Sequence, residues 1–211
     1  MEITKNKLKI LKLFRKELFL KISIREIMKK INSKSYQRVY EAVEDLAKKK
    51  VLISEKLGNT NLTSLSLYRE AILLLGFLDE KEATKLPNYS KILNIKEISD
   101  YLIIVTGSYA KGNPNKKSDM DLVIVVPDKE NVVSVQKLVE NQTMLFVPSI
   151  HLYVFKKKDF IEMLKSKEEN YGKEIVKNRV ILKNAQMFYE LVKEAIENGY
   201  KESNSRDTGI D

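Results

Sequence analysis

Tyr101-Leu102-Ile103-Ile104-Val105-Thr106-Gly107-Ser108, ten further residues, and then Asp119-Met120-Asp121-Leu122-Val123-Ile124-Val125-Val126 decide how this chain is read. The first apolar run, rich in β-branched residues, is the pattern of a buried strand. It ends in Gly107-Ser108, where a residue without a Cβ lets the backbone approach a ligand closely. The second run opens on two carboxylates two positions apart. Side chains alternate along a strand, so Asp119 and Asp121 share one face and Met120 and Leu122 the other. Two convergent carboxylates suit Mg2+, which takes oxygen ligands and completes its octahedron with water and substrate phosphates. Those phosphates would rest on the backbone amides around Ser108. Without such a ligand the aspartates are only the polar rim of a tight loop between core strands.

The order strand, Gly-Ser, ten residues, Asp-apolar-Asp, with Ser118 ahead of Asp119 and Tyr109-Ala110-Lys111-Gly112 in between, resembles the nucleotidyltransferase superfamily related to DNA polymerase β. The likeness is strongest to its small, minimal members. It implies transfer of a nucleoside monophosphate from an NTP to an acceptor hydroxyl or phosphate, with release of pyrophosphate. It further implies nucleotide binding by Gly107, Ser108 and Ser118, and Mg2+ as cofactor on Asp119 and Asp121, which would also be catalytic. The superfamily usually places a third carboxylate on the strand beside the Asp-apolar-Asp strand, and this chain has His151 there. Neutral imidazole is a poor ligand for Mg2+. Four readings follow: a weakened site that still holds nucleotide, His151 as the catalytic base, Asp159 or Glu162 as the replacement carboxylate, or His151 as an ordinary half-buried strand residue.

Around this centre the periodicity predicts a helix over residues 129–140, strands over 143–147 and 149–155, and a helix over 169–182. Asn184 is expected to cap a last helix whose apolar side carries Met187, Phe188, Leu191, Val192 and Ile196. Lys177 and Arg179 could face the triphosphate but are read first as solvated charges.

At 211 residues the chain has room for two modest cores. It has no cysteine and one histidine, which excludes disulfides and thiolate-rich or finger-type zinc sites. No apolar run approaches the roughly 18–20 residues of a membrane span, so a cytoplasmic protein with no membrane partner is expected. Charge is segregated: residues 1–66 hold 16 Lys+Arg against 7 Asp+Glu, so the whole net +9 lies in the first third. Such a basic segment suits a polyanion, because neutralising phosphates releases counterions.

Pattern refines that expectation. Leu8, Leu11, Phe14 and Leu18 give a first helix, and Ile24, Ile27, Met28 and Ile31 a second. Ser33 or Ser35 can cap a third, with Tyr36, Val39, Tyr40, Val43, Leu46 and Ala47 as one apolar stripe and Lys34, Gln37 and Arg38 opposite. Residues 51–57 and 62–67 flank Gly58-Asn59 as a hairpin. Three helices and a hairpin resemble a winged helix-turn-helix, which implies that Lys34, Gln37 and Arg38 meet duplex DNA. Residues 68–78 are apolar nearly all round, which predicts burial between domains or in a homodimer. The expected fold class is α+β. A winged helix-turn-helix over 1–67 leads, through a connecting helix and linker over 68–88, to a nucleotidyltransferase-like domain with a mixed sheet and C-terminal helices over 89–200 and a frayed tail over 201–211. Two alternatives stand beside transfer: a nucleotide-sensing, DNA-binding transcriptional regulator with a weakened site, and a toxin-antitoxin component.

Overall fold

The computed structural model describes residues 3–58 and 60–201, so the expected tail, apart from Lys201, lies outside the described residues. The chain forms two compact units that divide between Leu75 and Gly76.

In the first unit, α1 (Lys5–Lys16) starts at Thr4, whose hydroxyl accepts from the Lys7 amide at 3.4 Å. A capping box between Ser23 and Glu26 opens α2 (Ile24–Lys30), and Ser35, of the two serines considered, opens α3 (Tyr36–Lys48). β1 (Ile22–Ser23), β2 (Leu52–Leu57) and β3 (Thr60–Leu65) form an antiparallel sheet in the order β1-β3-β2, with Leu52 opposite Leu65 and Ile22 opposite Thr63. Ile10, Leu11, Phe14, Ile27, Val39, Val43 and Leu46 are buried as its core. Tyr36 and Tyr40 depart from the expected stripe and are 46% and 40% exposed. At about 100° per residue, the α3 positions facing the core are Val39, Ala42, Val43 and Leu46, and both tyrosines fall to one side of that arc.

α4 (Arg69–Ala83) runs across the division. Ala71, Ile72, Leu75 and Leu78 are buried, whereas Leu73 and Phe77 are 52% and 57% exposed, so the chain by itself covers only part of this helix. Among the described residues no helix is long and apolar enough to cross a membrane.

The second unit is built on β4 (Leu102–Thr106), β5 (Met120–Val126), β6 (Ile150–Lys156) and β7 (Val180–Lys183), in the order β6-β5-β4-β7. β4 runs antiparallel to β5 and β7, and β5 runs parallel to β6, so the sheet is mixed as expected. One face carries Ile103, Val105, Met120, Leu122, Ile124, Leu152 and Val154 into a core with Ile92 of α5 (Tyr89–Leu93) and Val139 of α7 (Val132–Thr143). α6 (Gly107–Lys111) follows β4 directly. The opposite face is packed by α8 (Lys157–Lys165), α9 (Tyr171–Lys177) and α10 (Ala185–Glu197).

Three local expectations are corrected. Residues 143–147 are not a strand: Thr143 ends α7, its hydroxyl bonding the Val139 carbonyl at 2.8 Å, and Met144, Leu145 and Val147 stand exposed with no neighbouring strand to pair. Residues 169–182 are not one helix, because α9 stops at Lys177 and the chain then pairs as β7 with the free edge of β4. Asn184 precedes α10 but does not cap it; its backbone is left-handed (φ 58°) and its amide nitrogen donates to the Tyr101 carbonyl at 2.8 Å.

A buried polar group lies among these helices. The Tyr189 hydroxyl donates to Asp79 Oδ2 at 2.5 Å, and the Arg179 guanidinium sits 4.8 Å from the Phe188 ring centroid and 5.7 Å from that of Tyr189. Arg179, expected on a solvated face, is therefore buried, while Lys177 pairs with Glu169 at 3.0 Å.

Candidate active site

Register alone assembles the centre. Thr106 lies opposite Asp121 and Asp121 opposite His151, so the three occupy one row across β4, β5 and β6, on the same sheet face. The Thr106 hydroxyl donates to the Asn178 carbonyl at 2.6 Å, which anchors the end of β4 to the turn after α9.

Gly107 comes next in the chain with φ +66°, and a Cβ built there would lie 2.0 Å from Asp121 Oδ2. Only glycine fits, on both conformational and steric grounds. The backbone that begins α6 is thus held against one of the two carboxylates. Ser108 is half-buried in α6, and Gly112, also left-handed at φ +74°, ends that helix. Ser118 organises the return loop: its hydroxyl accepts from the Asn115 amide at 2.9 Å, and its carbonyl lies 3.5 Å from the Tyr109 hydroxyl.

Asp119 sits exposed at the entrance to β5. Ser149 donates its hydroxyl to Asp119 Oδ1, and its carbonyl accepts from the Met120 amide at 2.8 Å. Sequence reasoning missed this serine. It lies two positions before His151, hence on the same face, and the parallel pairing of Met120 with Ile150 carries it beside Asp119.

His151 Nδ1 lies 3.3 Å from Asp121 Oδ1 and 3.3 Å from the Tyr153 hydroxyl. A proton on Nδ1 would be shared with the aspartate. The ring is far from half-buried, its side chain being 58% exposed. Asp159 and Glu162 do not replace the missing carboxylate, because both lie on α8 beyond the far end of β6, and Glu162 pairs with Lys165 at 2.9 Å. His151 to Lys156 spans five strand steps, roughly 17 Å.

Tyr153 and Phe155 follow His151 on the same face. The Tyr171 ring of α9 lies 4.6 Å from that of Tyr153 and 6.2 Å from that of Phe155. The Tyr171 hydroxyl is buried without a hydrogen bond of good geometry. Burial first, then the neighbouring Tyr153 and Asp121, push its acidity constant well above the usual phenol range, so it stays neutral. Two turns of α9 reach across the site, because Glu174 pairs with Lys111 of α6 at 2.9 Å and accepts from the Asn178 amide at 3.0 Å. The Lys111 contact holds the Glu174 carboxyl below its ordinary range.

In the first unit Lys34, Gln37 and Arg38 are all exposed at the start of α3. The Gln37 amide is engaged with Glu41 at 2.9 Å.

Residues 88–201, more than half of the chain, match the family model described as "Nucleotidyltransferase domain". A solved structure described as "Crystal structure of the toxin-antitoxin with AMP-PNP" is similar at 19% identity, over 53% of this chain and 86% of that one, with a TM-score of 0.38. No curated protein matches.

Proposed function

We propose nucleotidyl transfer as the function, on the premise that this chain belongs to the nucleotidyltransferase-domain family. The triphosphate of the donor NTP would lie over Asp119 and Asp121 and against the Gly107-Ser108 backbone. The observation that carries this reading is the forced proximity of Gly107 to Asp121, which brings phosphate-binding amides and carboxylates to one point.

Asp119, Asp121 and the Ser149 hydroxyl offer hard oxygen donors, and among the described residues no group of three or more His, Cys, Asp or Glu is placed to hold a metal ion. That donor set fits Mg2+, which is commonly bound by one or two carboxylates and completed by water and phosphate. Asp119 and Asp121 are the residues that would hold it. When bound, Mg2+ supplies charge neutralisation at the transferring phosphoryl group. Ser149 fixes the Asp119 carboxylate, and His151 orients Asp121 from the neighbouring strand. Lys111, tied to Glu174, keeps α6 and its leading amides in place.

The replacement of a third carboxylate by His151 favours a second reading, in which a weakened site holds nucleotide more readily than it turns it over. Loss of a ligand impairs transition-state stabilisation more than ground-state grip. The basic first unit belongs to the same proposal: helices α1 to α3 with the β1-β3-β2 sheet have the element order of a winged helix-turn-helix, and Lys34 and Arg38 would meet nucleic-acid phosphate. Exposed Leu73 and Phe77, one turn apart on α4, suit a homodimer contact.

Incubation of the protein with each labelled NTP and Mg2+, with and without protein and nucleic-acid acceptors, tests the reading. Label transfer that Asp119→Asn and Asp121→Asn abolish is the expected result. Mg2+-dependent NTP affinity unchanged in the double variant would remove both aspartates from the metal site.

A further inference from the structure

The departure of Tyr36 and Tyr40 from the core has a counterpart in the surface around them. Their rings stand near-parallel, 25° apart in plane with centroids 6.4 Å apart, at the start of α3. They form one wall of a groove of about 390 Å³ whose other walls are Ser23 and Arg25 at the start of α2 and Thr60 and Asn61 at the start of β3. Small-ligand sites commonly enclose roughly 300–1,000 Å³. Arg25, Thr60 and Asn61 are exposed, so a cationic group and polar side chains edge an aromatic wall.

This is the chemistry of a site for an unstacked nucleobase. Every base has a π-face, and aromatic stacking beside a basic surface is how proteins grip single-stranded nucleic acid without reading its sequence. The rest of α3 points the same way. Glu41 is exposed one turn past Gln37 and holds its amide, while Glu44 follows on the next turn. A duplex laid along the length of α3 would bring phosphates onto these acids, whereas a single base entering at Tyr36 and Tyr40 meets only the first turn. The net +9 of residues 1–66 supplies the complementary charge for the attached backbone.

From this we infer that the groove between α3, the start of α2 and β3 binds a base of single-stranded nucleic acid by stacking on Tyr36 and Tyr40. The inference rests on the nucleic-acid reading of the first unit given above and changes its ligand from duplex to single strand. It is independent of the transferase site.

Fluorescence anisotropy of the full-length protein at low salt tests it, with a labelled single-stranded DNA oligonucleotide, its duplex, and an abasic strand of equal length. The single strand should bind more tightly than the other two. Tyr36→Ala and Tyr40→Ala should each weaken single-strand binding roughly ten-fold, in line with about 1–3 kcal/mol per stacked base, while Tyr36→Phe and Tyr40→Phe keep it. Both tyrosines are substantially exposed, so far-ultraviolet circular dichroism should be unchanged. Duplex binding as tight as single-strand binding, or single-strand binding indifferent to the alanine variants or to abasic sites, overturns the inference and leaves a duplex reader standing. Failure to bind any of the three strands overturns the nucleic-acid reading as well.

Discussion

His151 Nδ1 lies 3.3 Å from Asp121 Oδ1, across a pair of parallel strands in which these two residues occupy the same register position. A nitrogen therefore stands where the family resemblance calls for a third oxygen donor, and it faces the carboxylate it would otherwise have joined in holding Mg2+. His151→Asp should raise Mg2+-dependent transfer above wild type, by about ten-fold or more, since one well-placed charged group is worth a few kcal/mol in a transition state. His151→Ala, which removes only the contact that orients Asp121, should lower transfer by no more than a few-fold. Single-turnover rates for the three proteins decide it, and a large fall in the alanine variant would instead make His151 a working base.

Gly107→Ala should disable the site from the backbone. The added Cβ would fall 2.0 Å from Asp121 Oδ2, at a φ of +66° that alanine tolerates poorly. Either Asp121 or α6 must move. We expect loss of Mg2+-dependent NTP affinity by calorimetry, and destabilisation of roughly 1–3 kcal/mol by urea unfolding from the strained conformation.

Much of the second unit was legible in the sequence. β4 and β5 are continuous β-branched runs bounded by Gly107 and Asp119, so the two strands and the core side of Met120 and Leu122 follow from pattern, whereas the row of Thr106 and Asp121 rests on the β4–β5 pairing. β7 was not legible because four residues, Val180–Lys183, follow a helix directly and are strand only by virtue of the β4 edge they pair with. Ser149 escaped because its role depends on the β5–β6 register, a long-range fact. In the first unit, Tyr36 and Tyr40 share a helix with the apolar stripe but lie beyond its buried arc, and aromatic identity alone does not say which side of that boundary a residue takes.

The Lys111–Glu174 pair gives a pH dependence with a definite sign. Glu174 is held below its ordinary range, so the folded state binds fewer protons there than the unfolded chain. Its contribution is present above about pH 4.5 and is lost as the pH falls through the depressed value. Glu174→Gln should lower stability at neutral pH by no more than about 1 kcal/mol, as befits a partly exposed pair. The difference between variant and wild type should close in acid, as read by thermal melts from pH 7 down to 3. A difference that widens in acid would be contrary to the Lys111 contact as its source.

Tyr189→Phe should be costlier, because it removes the hydroxyl that Asp79 accepts from within the core. Tyr189 is itself pushed well above the usual phenol range, first by burial and also by Asp79, so it remains a proton donor throughout the accessible pH range. Loss of one hydrogen bond within the core amounts to roughly 1–3 kcal/mol. Asp79→Asn should relieve part of that loss in the double variant. Chemical denaturation of the two single variants and the double gives the coupling directly.

β7 completes the four-stranded sheet at its β4 edge, and this sets an order of events during synthesis. Residues 102–106, whose last member lies beside Asp121, are made long before Val180 and Ile181, which pair with Val105 and Ile104. At about 5–20 residues per second, the ribosome leaves that edge open for several seconds. An unpaired, wholly buried-type strand is a template for association with other chains. A ribosome-bound nascent chain stalled before residue 180 should therefore hold chaperones, and release them once β7 has emerged.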